Sequence, residues 1–321
     1  MILGIESTAH TFGIGIVNKG KILANVRDMY TTSQGGIIPV ESAKHHRNVA
    51  NEVYLRALQE AKILEKEINA IAVSNAPGLA PCLLAGLEFA KNKAKELKVP
   101  IIPVNHCIAH LEIGQAFGAK DPVLLYVSGA NTQIIAYASG KYRIFGETLD
   151  IGIGNCLDKF ARAMNIGFPG GPKIEILAKQ GSYLEIPYSV KGMDVSFSGI
   201  YTKLLHLFKE GKKPEDLSFS LQETAFAMLI ETAERALAHT KKEELVLGGG
   251  VACNLRLQEM CKVMCEERKA KFFCPPKDFL VDNGAMIAFT GELILNSKSP
   301  LPKEIDINPR ERTDEIKVTW R

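Results

Sequence analysis

Segments that would carry the protein to or through a membrane are missing from the sequence. The region that begins Met1–Glu6 has no basic segment followed by an apolar run and a small-residue cleavage site, so it is not a signal peptide. No uninterrupted apolar run reaches the roughly 20 residues that a helix needs to cross a bilayer. We therefore predict a cytoplasmic protein with no membrane partner.

Disulfide patterns are missing as well. The seven cysteines are odd in number and scattered, and they include no CxxC pair, which is typical of reduced thiols in a cytosol. Cys261 and Cys265 lie four residues apart on a predicted helix. They are either half of a metal site or, as we favour, two small buried hydrophobic residues.

The sequence also has little excess of charge of one sign. With 39 basic and 36 acidic residues, the formal charge is only +3, far from the strong basic balance of a protein that grips nucleic acid by itself. If this chain acts on RNA, we expect other subunits to help. Hydrophobic residues make up 46% of the 321 positions, enough for two globular domains of similar size.

Neither of the two common phosphate-binding motifs is present. The nearest match to a P-loop, Gly15–Lys21, continues into Ile22 within a predicted hairpin rather than into Ser or Thr at a helix start. A dinucleotide fingerprint also fails, because Gly13 and Gly15 lie inside a predicted strand and Asn18 stands where the third glycine belongs.

What the sequence does contain is a β-hairpin pattern that occurs twice. The first copy has apolar runs at 2–5 and 12–17, a turn at 18–21 and a third run up to residue 29. The second copy begins at Val123. A constant offset of 121 residues aligns four identities between the copies, namely Ser7 with Ser128, Ala9 with Ala130, Thr11 with Thr132 and Ile14 with Ile135. We interpret the two copies as an internal duplication.

Strands and helices alternate after each hairpin, which predicts an α/β fold with largely buried sheets. Helices are predicted at 40–62, 82–97, 218–239, after Val251 and at about 282–295, and strands at 70–74, 101–104, 245–247 and 271–273. Residues 148–214 are rich in Gly and Pro and are predicted to form a binding insert with short helices. The halves 1–121 and 122–321 follow the plan of the actin, Hsp70 and hexokinase superfamily, in which a nucleotide occupies a cleft.

A run of three glycines, Gly248–Gly250, stands between a predicted strand and a predicted helix and leads to Asn254. A backbone without side chains can approach a purine and a ribose closely, so this turn is a candidate nucleotide site. The alternative is an ordinary strand-to-helix turn, and the glycines alone do not decide between them.

A candidate metal site lies at His106 and His110. Histidines four residues apart share one face of a helix, a spacing suited to one zinc or iron ion. The peptidase motif HExxH has a general base after its first histidine, but here that residue is Cys107. Asp282, at the start of the last predicted helix, is either a helix cap or a third ligand. His45, His46 and Arg47 are interpreted as a solvated helix face.

Seven segments taken together resemble the Kae1/TsaD family, in family order and over essentially the whole chain, and the Ala9–Thr11 portion is similar to its archaeal and eukaryotic branch. They are Gly4–Thr11, Asn105–His110, Tyr126–Gly129, Gly152–Asn155, Phe168–Lys173, Ser196–Gly199 and Asp282–Ala288.

The resemblance implies an actin-like ATPase fold of the ASKHA superfamily, with two ribonuclease-H-like halves around a nucleotide cleft. It also implies one divalent metal ion, iron or zinc, held by His106, His110 and Asp282, with Tyr126 able to approach it. The implied site for an adenine nucleotide or threonylcarbamoyl adenylate comprises Val127, Ser128, Gly129, Ala130, Asn131, Asp158, Gly171, Glu175, Gly249, Gly250 and Asn254. Departures from the family pattern, such as Ala130 where a glycine is common, remove none of these ligands.

The activity that the resemblance implies is transfer of the threonylcarbamoyl group from its adenylate to N6 of adenosine 37, in tRNAs that read ANN codons. Because the donor is a mixed anhydride that N6 can attack directly, we expect no protein nucleophile. The implied partners are the KEOPS subunits Bud32, a kinase that is fused to the chain in some archaea, Cgi121 and Pcc1. Three alternatives stay open, namely an actin-fold kinase, a metallopeptidase and a binding module that senses ATP.

Overall fold

The computed structural model describes residues 1–32 and 36–321. The strands of these residues are β1 (Ile2–Glu6), β2 (Thr11–Asn18), β3 (Lys21–Met29), β4 (Ala70–Ala76), β5 (Ile101–Asn105), β6 (Val123–Val127), β7 (Thr132–Ala138), β8 (Lys141–Glu147), β9 (Val190–Lys191), β10 (Asp194–Val195), β11 (Glu244–Gly248) and β12 (Lys271–Phe273). The helices are α1 (Pro39–Ala61), α2 (Ala80–Leu97), α3 (His106–Glu112), α4 (Ile153–Ala163), α5 (Gly170–Ala178), α6 (Ser198–Lys209), α7 (Pro214–Thr240), α8 (Leu255–Glu267), α9 (Lys277–Leu280) and α10 (Gly284–Asn296).

Two five-stranded sheets have the same topology. The first has the order β3-β2-β1-β4-β5 and the second, taken from its other edge, β8-β7-β6-β11-β12. In each sheet the first strand pairs antiparallel with its hairpin partner and parallel with the next strand along the sheet. Because β1 and β6, and likewise β2 and β7, begin 121 residues apart, the predicted duplication is confirmed.

The chain divides into two compact units. The first comprises Met1–Gly118, Ser139–Tyr142 and Val281–Arg321, and the second comprises Ala119–Ala138 and Arg143–Leu280. Each has its own apolar core, with Phe12 and Ile14 fully buried in the first and Phe160 and Phe226 fully buried in the second. The predicted division at 121/122 assigned residues 281–321 to the second half, whereas in the structure they belong to the first unit.

Helix α10 explains that placement, because it lies against β1 and β2 at van der Waals distance from their backbones. A Cβ atom at Gly4 would lie 2.2 Å from the backbone nitrogen of Ala288, and one at Gly15 would lie 2.2 Å from that of Ala285. Only glycine fits where a helix and a sheet approach so closely. These glycines therefore fix α10, and the residues that precede it, to the first sheet.

Most predicted elements are present with shifted ends, and residues 148–214 do contain the short helices α4, α5 and α6. The interpretation of the histidine pair on α1 as a solvated face is wrong for His46, which is fully buried and contacts the carbonyl of Ala9. Cys261 and Cys265 are buried in α8, as favoured, and all seven cysteines are free thiols. In the described parts of the chain, no helix has the length and apolarity to cross a membrane.

Candidate metal centre and glycine turn

Helix α3 begins directly at the end of the buried strand β5. Asn105, the last residue of that strand, caps the helix, because its Oδ1 accepts hydrogen bonds from the backbone nitrogens of Cys107 at 3.0 Å and Ile108 at 3.2 Å. The predicted four-residue spacing then places His106 and His110 on one face, with ring centroids 4.8 Å apart. Both histidines are almost completely buried.

Asp282 completes a cluster with the two histidines. Its Oδ1 lies 3.4 Å from Nε2 of His106 and 3.5 Å from Nε2 of His110, and one potential ligand atom from each residue lies within 4.8 Å of the others. The alternative in which Asp282 caps the last helix is wrong. Asn283 is the N-cap of α10, and its Oδ1 accepts a hydrogen bond from the backbone nitrogen of Met286 at 2.9 Å.

The protonation states of the cluster follow from burial and mutual charge. Burial alone would lower the pKa of His106, but the negative charges of Glu6 and Asp282 outweigh it and raise the pKa to about 9. Burial holds the pKa of His110 below its ordinary value. Burial acts to raise the pKa of Asp282, but His106 and His110 outweigh it and keep that pKa far below normal. The site therefore offers a carboxylate and a neutral imidazole, and a cation would replace the proton on His106.

Glu6 is the residue of this site that sequence reasoning missed. Its carboxylate is fully buried, with Oε2 2.9 Å from Nδ1 of His106. Thr8 holds the other carboxylate oxygen, because its backbone nitrogen donates to Oε1 at 2.7 Å and its hydroxyl donates to the same atom at 2.5 Å. A carboxylate on Nδ1 leaves Nε2 of the imidazole for a metal and fixes the plane of the ring.

The donor set fits a divalent transition metal. Two imidazole nitrogens and one carboxylate oxygen are ligands that iron and zinc share. Two ligands about 2.1 Å from one tetrahedral ion lie about 3.4 Å apart, which matches the distances from Asp282 to the two histidines. These residues can therefore hold an ion once the ligand atoms, which all lie within 4.8 Å of one another, draw together around it.

Tyr126 belongs to the second unit, and its approach to the ion stays a prediction. It is buried on β6, the central strand of its sheet, and pairs with Gln133 of β7 and Gly248 of β11.

The glycine turn and the β6–β7 turn lie side by side in the second unit. Gly249 has a φ of +96°, and a Cβ there would lie 2.3 Å from the carbonyl oxygen of Val127. Ser128 closes the neighbouring turn, with its backbone nitrogen donating to the carbonyl of Asn131 at 2.8 Å and its hydroxyl accepting from the nitrogen of Asn131 at 3.1 Å. The predicted nucleotide residues Val127–Asn131 and Gly249 therefore lie next to each other. Gly250 has no close neighbour, because a Cβ there would meet only open space.

The other predicted nucleotide residues have structural roles in the second unit. Asn254 caps α8, with Oδ1 accepting from the nitrogens of Arg256 and Leu257 at 2.9 and 3.1 Å. Glu175 accepts a hydrogen bond from the nitrogen of Leu255 at 2.9 Å, beside that cap. Asp158 accepts one from the nitrogen of Gly170 at 2.7 Å, immediately before Gly171. These bonds bring α5 to the start of α8 and the middle of α4 to the start of α5.

Similar proteins agree on one family. Residues 21–289 match the model of the TsaD family, described as tRNA N6-adenosine threonylcarbamoyltransferase. A protein of that name from Thermococcus sibiricus is 56% identical, and the match covers 99% of both chains. A probable bifunctional tRNA threonylcarbamoyladenosine biosynthesis protein from Methanocorpusculum labreanum is 51% identical over the whole of this chain, which spans 61% of its length.

Solved structures share the fold at low sequence identity. HypF from T. kodakarensis is 17% identical with a TM-score of 0.61 over 92% of this chain and 47% of its own. Component A of (R)-2-hydroxyglutaryl-CoA dehydratase from Acidaminococcus fermentans is 13% identical with a TM-score of 0.55 over 89% and 95%. The actin-like fold with two ribonuclease-H-like halves is thereby confirmed. On its sequence match, the chain belongs to the TsaD family of tRNA N6-adenosine threonylcarbamoyltransferases.

Proposed function

We propose that this chain transfers a threonylcarbamoyl group to N6 of an adenosine in tRNA and that His106, His110 and Asp282 hold the metal ion that the reaction uses. The family match supports the reaction. The observation that carries the ligand assignment is the buried cluster of two histidines and one aspartate, with Glu6 behind it. Its chemistry accepts either iron or zinc.

The proposed donor is threonylcarbamoyl adenylate. N6 of the adenosine attacks the carbonyl carbon, the bond between that carbon and the phosphate oxygen breaks, AMP leaves with the bonding electrons, and N6 gives up one proton to solvent, so a protein nucleophile is not required. An ion held by His106, His110 and Asp282 would supply Lewis acidity for charge that develops on oxygen. Glu6 and Thr8 fix the ring of His106, and Asp282 carries the negative charge that attracts the cation.

The adenylate portion of the donor is assigned to the second unit. We propose that it contacts Val127, Ser128, Gly129, Ala130 and Asn131 on one side and Gly249, Gly250 and Asn254 on the other, with Asp158, Gly171 and Glu175 on the flanking helices. The positive φ of Gly249 and the close approach of Val127 show why this turn needs a glycine, and Gly250 beside it is exposed with open space around it. A backbone without side chains lets a nucleotide come close.

A peptidase is the weaker reading of the same histidine pair. The residue after His106 is Cys107, which is 2% exposed and offers no carboxylate for a general base. A sugar or acetate kinase of this fold would not require the buried cluster of His106, His110 and Asp282. The adenosine target must leave the anticodon-loop stack to react, which favours an exposed nucleotide in a loop; on the family resemblance, we propose position 37 in tRNAs that read ANN codons. A tRNA substrate also favours a cytoplasmic location.

The partners are proposed from the family. The names of the bifunctional relatives support a fused second activity in those proteins, and we propose that this chain works with the Bud32 kinase and with Cgi121 and Pcc1 in the KEOPS assembly. The net charge of +3 gives few phosphate contacts, so the chain alone should modify tRNA poorly.

The test is an assay of N6 modification of tRNA by the chain, with and without its proposed partners. Threonylcarbamoyl adenylate should support modification, and its omission or removal of the metal with a chelator should stop it. Peptide hydrolysis or phosphoryl transfer to a small substrate, in place of tRNA modification, would favour one of the alternatives.

A further inference from the structure

Residues 306–321 run along the side of the first unit that carries α3, and we name them the strap. Near its start, the backbone nitrogen of Asn308 donates to the carbonyl of Asn75 at 2.9 Å. The nitrogen of Gly78 then donates to the carbonyl of Pro309 at 3.2 Å. The strap is thereby attached to the end of β4 and the loop that follows it.

The strap next reaches the first turn of α3. The side chain of Asn105 accepts the cap hydrogen bonds of α3 with its Oδ1, while its Nδ2 donates to Oε2 of Glu311 at 2.9 Å. Thr313 is 2% exposed and lies beside the side chain of Cys107. Glu311 therefore orients the amide that caps the helix on which both candidate histidine ligands lie.

The strap also holds the last residue of α3. Glu112 is fully buried, and its two carboxylate oxygens accept from Nε and Nη2 of Arg321 at 2.9 and 3.0 Å. Nε1 of Trp320 donates to the same carboxylate at 3.1 Å. The side chain of Arg321 is only 11% exposed, so this is a buried two-pronged ion pair, for which the planar guanidinium is suited.

Both ends of α3 are thus attached to one segment, and α3 needs such attachment. It has seven residues, well below the ~12 to 15 residues at which an isolated helix becomes even marginally stable in water. Its position must therefore come from contacts outside the helix. His106 and His110 lie between the two attachment points, so an error in the tilt of α3 moves both histidines relative to Asp282.

We propose that the strap is a positioning element for the metal centre, and that Glu311 and Arg321 are positioning residues that hold α3 with both histidines facing Asp282. This inference rests on the proposed function only in taking these three residues as metal ligands. It assigns a function to residues 306–321, which contribute no ligand.

The experiment compares Arg321→Ala and Glu311→Ala with a control, Lys317→Ala, which removes an exposed cation of the strap. The affinity of the full chain for Zn²⁺ is measured by competition with a chelator. Residues bonded directly to a metal-ligating side chain change metal affinity by about 10- to 100-fold. Glu311 and Arg321 act through α3, so we expect a loss near the lower end of that range, about tenfold, in the first two variants. The control should bind Zn²⁺ like the original chain.

Hydrogen exchange separates positioning from general destabilisation. In Arg321→Ala and Glu311→Ala, the backbone amides of α3 should exchange faster while those of α7, in the second unit, keep their rates. Arg321→Lys keeps the positive charge but cannot donate to both oxygens of Glu112 in the same way, so it should bind Zn²⁺ more tightly than Arg321→Ala and less tightly than the unmodified chain. If Arg321→Ala does not fold, Arg321→Lys takes its place in the comparison. Original Zn²⁺ affinity and unchanged exchange in α3 would overturn the proposal, as would equal acceleration throughout the chain.

A failure of the proposed function looks different. If the original chain binds Zn²⁺ no better than His110→Ala does, the ligand assignment falls whatever the strap does. If it binds Zn²⁺ through the histidines and the strap variants bind it equally well, only the strap proposal falls.

Discussion

The two sheets have one topology, but the residues at the ends of their strands differ in kind. In the first unit, β1 ends in the buried carboxylate of Glu6 and β5 leads into His106. In the second unit, β6 ends in Val127, and β11 leads into Gly249 with its positive φ. One unit presents charged and ligating side chains at its strand ends, and the other presents backbone.

This difference teaches how a duplicated fold can take on two tasks. The carboxyl ends of parallel strands are where α/β sheets carry their ligand-binding loops, so both copies inherit the same place for a site. Side chains that ligate suit a cation, while glycine and serine turns suit an anionic nucleotide. If this interpretation is right, metal and nucleotide binding are separable by mutation, one in each unit.

The largest effect should come from removing a ligand of the first unit. His106→Ala or His110→Ala deletes one of the three proposed protein ligands, so we expect stoichiometric metal and tRNA modification both to be lost while binding of ATP is retained. Elemental analysis of the folded variants, with ATP titration in parallel, measures this. Stoichiometric metal in both variants would contradict the ligand assignment.

The second unit should show the opposite loss. Leucine at Gly249 would have to adopt a φ of +96° with its Cβ 2.3 Å from the carbonyl of Val127, so Gly249→Leu should weaken ATP binding by more than roughly tenfold, or about 1.4 kcal/mol, with metal content unchanged. Gly192→Leu is the control, because Gly192 also has a positive φ but open space around it. Unchanged nucleotide affinity in folded Gly249→Leu would mean that the glycine turn is only a turn.

Sequence patterns predicted the shared scaffold well for physical reasons. Alternating apolar residues and turns specify hairpins locally, and the offset of 121 residues matches the starts of β1 and β6 and of β2 and β7. The four-residue spacing of His106 and His110 is likewise local to one helix. Their approach to Asp282 came from the family resemblance, since His110 and Asp282 are 172 positions apart in the sequence and no local pattern reports such a contact.

What the sequence did not predict depends on contacts across the fold. The placement of residues 281–321 with the first unit follows from glycines that let α10 pack closely against the sheet, and the sequence does not show which element packs against a glycine in a strand.

Glu6 was not predicted as part of the site, although the sequence repeat marks it. The offset aligns it with Val127, so a charged residue replaces an apolar one at the end of a fully buried strand, and buried carboxylates require a partner.

Glu6 provides the next test of the comparison. Glu6→Gln keeps the shape but offers His106 an amide in place of a carboxylate, and Glu6→Val gives β1 the residue of the equivalent position in β6. We expect metal affinity to fall by about 10- to 100-fold in Glu6→Gln and further in Glu6→Val, with ATP affinity unchanged in both. Chelator competition measures the first quantity, and wild-type metal affinity in Glu6→Val would show that the carboxylate has no part in the metal site.

The smallest effect concerns charge. Residues 148–214, all in the second unit, have nine basic and six acidic residues, which leaves 30 of each in the rest of the chain. The entire net charge of +3 therefore lies in this insert, and α6 carries two exposed lysines, Lys203 and Lys209.

If the insert contributes the chain's few phosphate contacts, the double variant Lys203→Ala, Lys209→Ala should weaken tRNA binding several-fold. It should also reduce the slope of the logarithm of affinity against the logarithm of salt concentration by about 1 to 2. Lys91→Ala with Lys95→Ala removes two exposed lysines from α2 of the first unit and should change neither. Binding measured over a series of salt concentrations decides between them, because equal losses in the two pairs would mean that the position of the charge does not matter and that the units differ only in their strand ends.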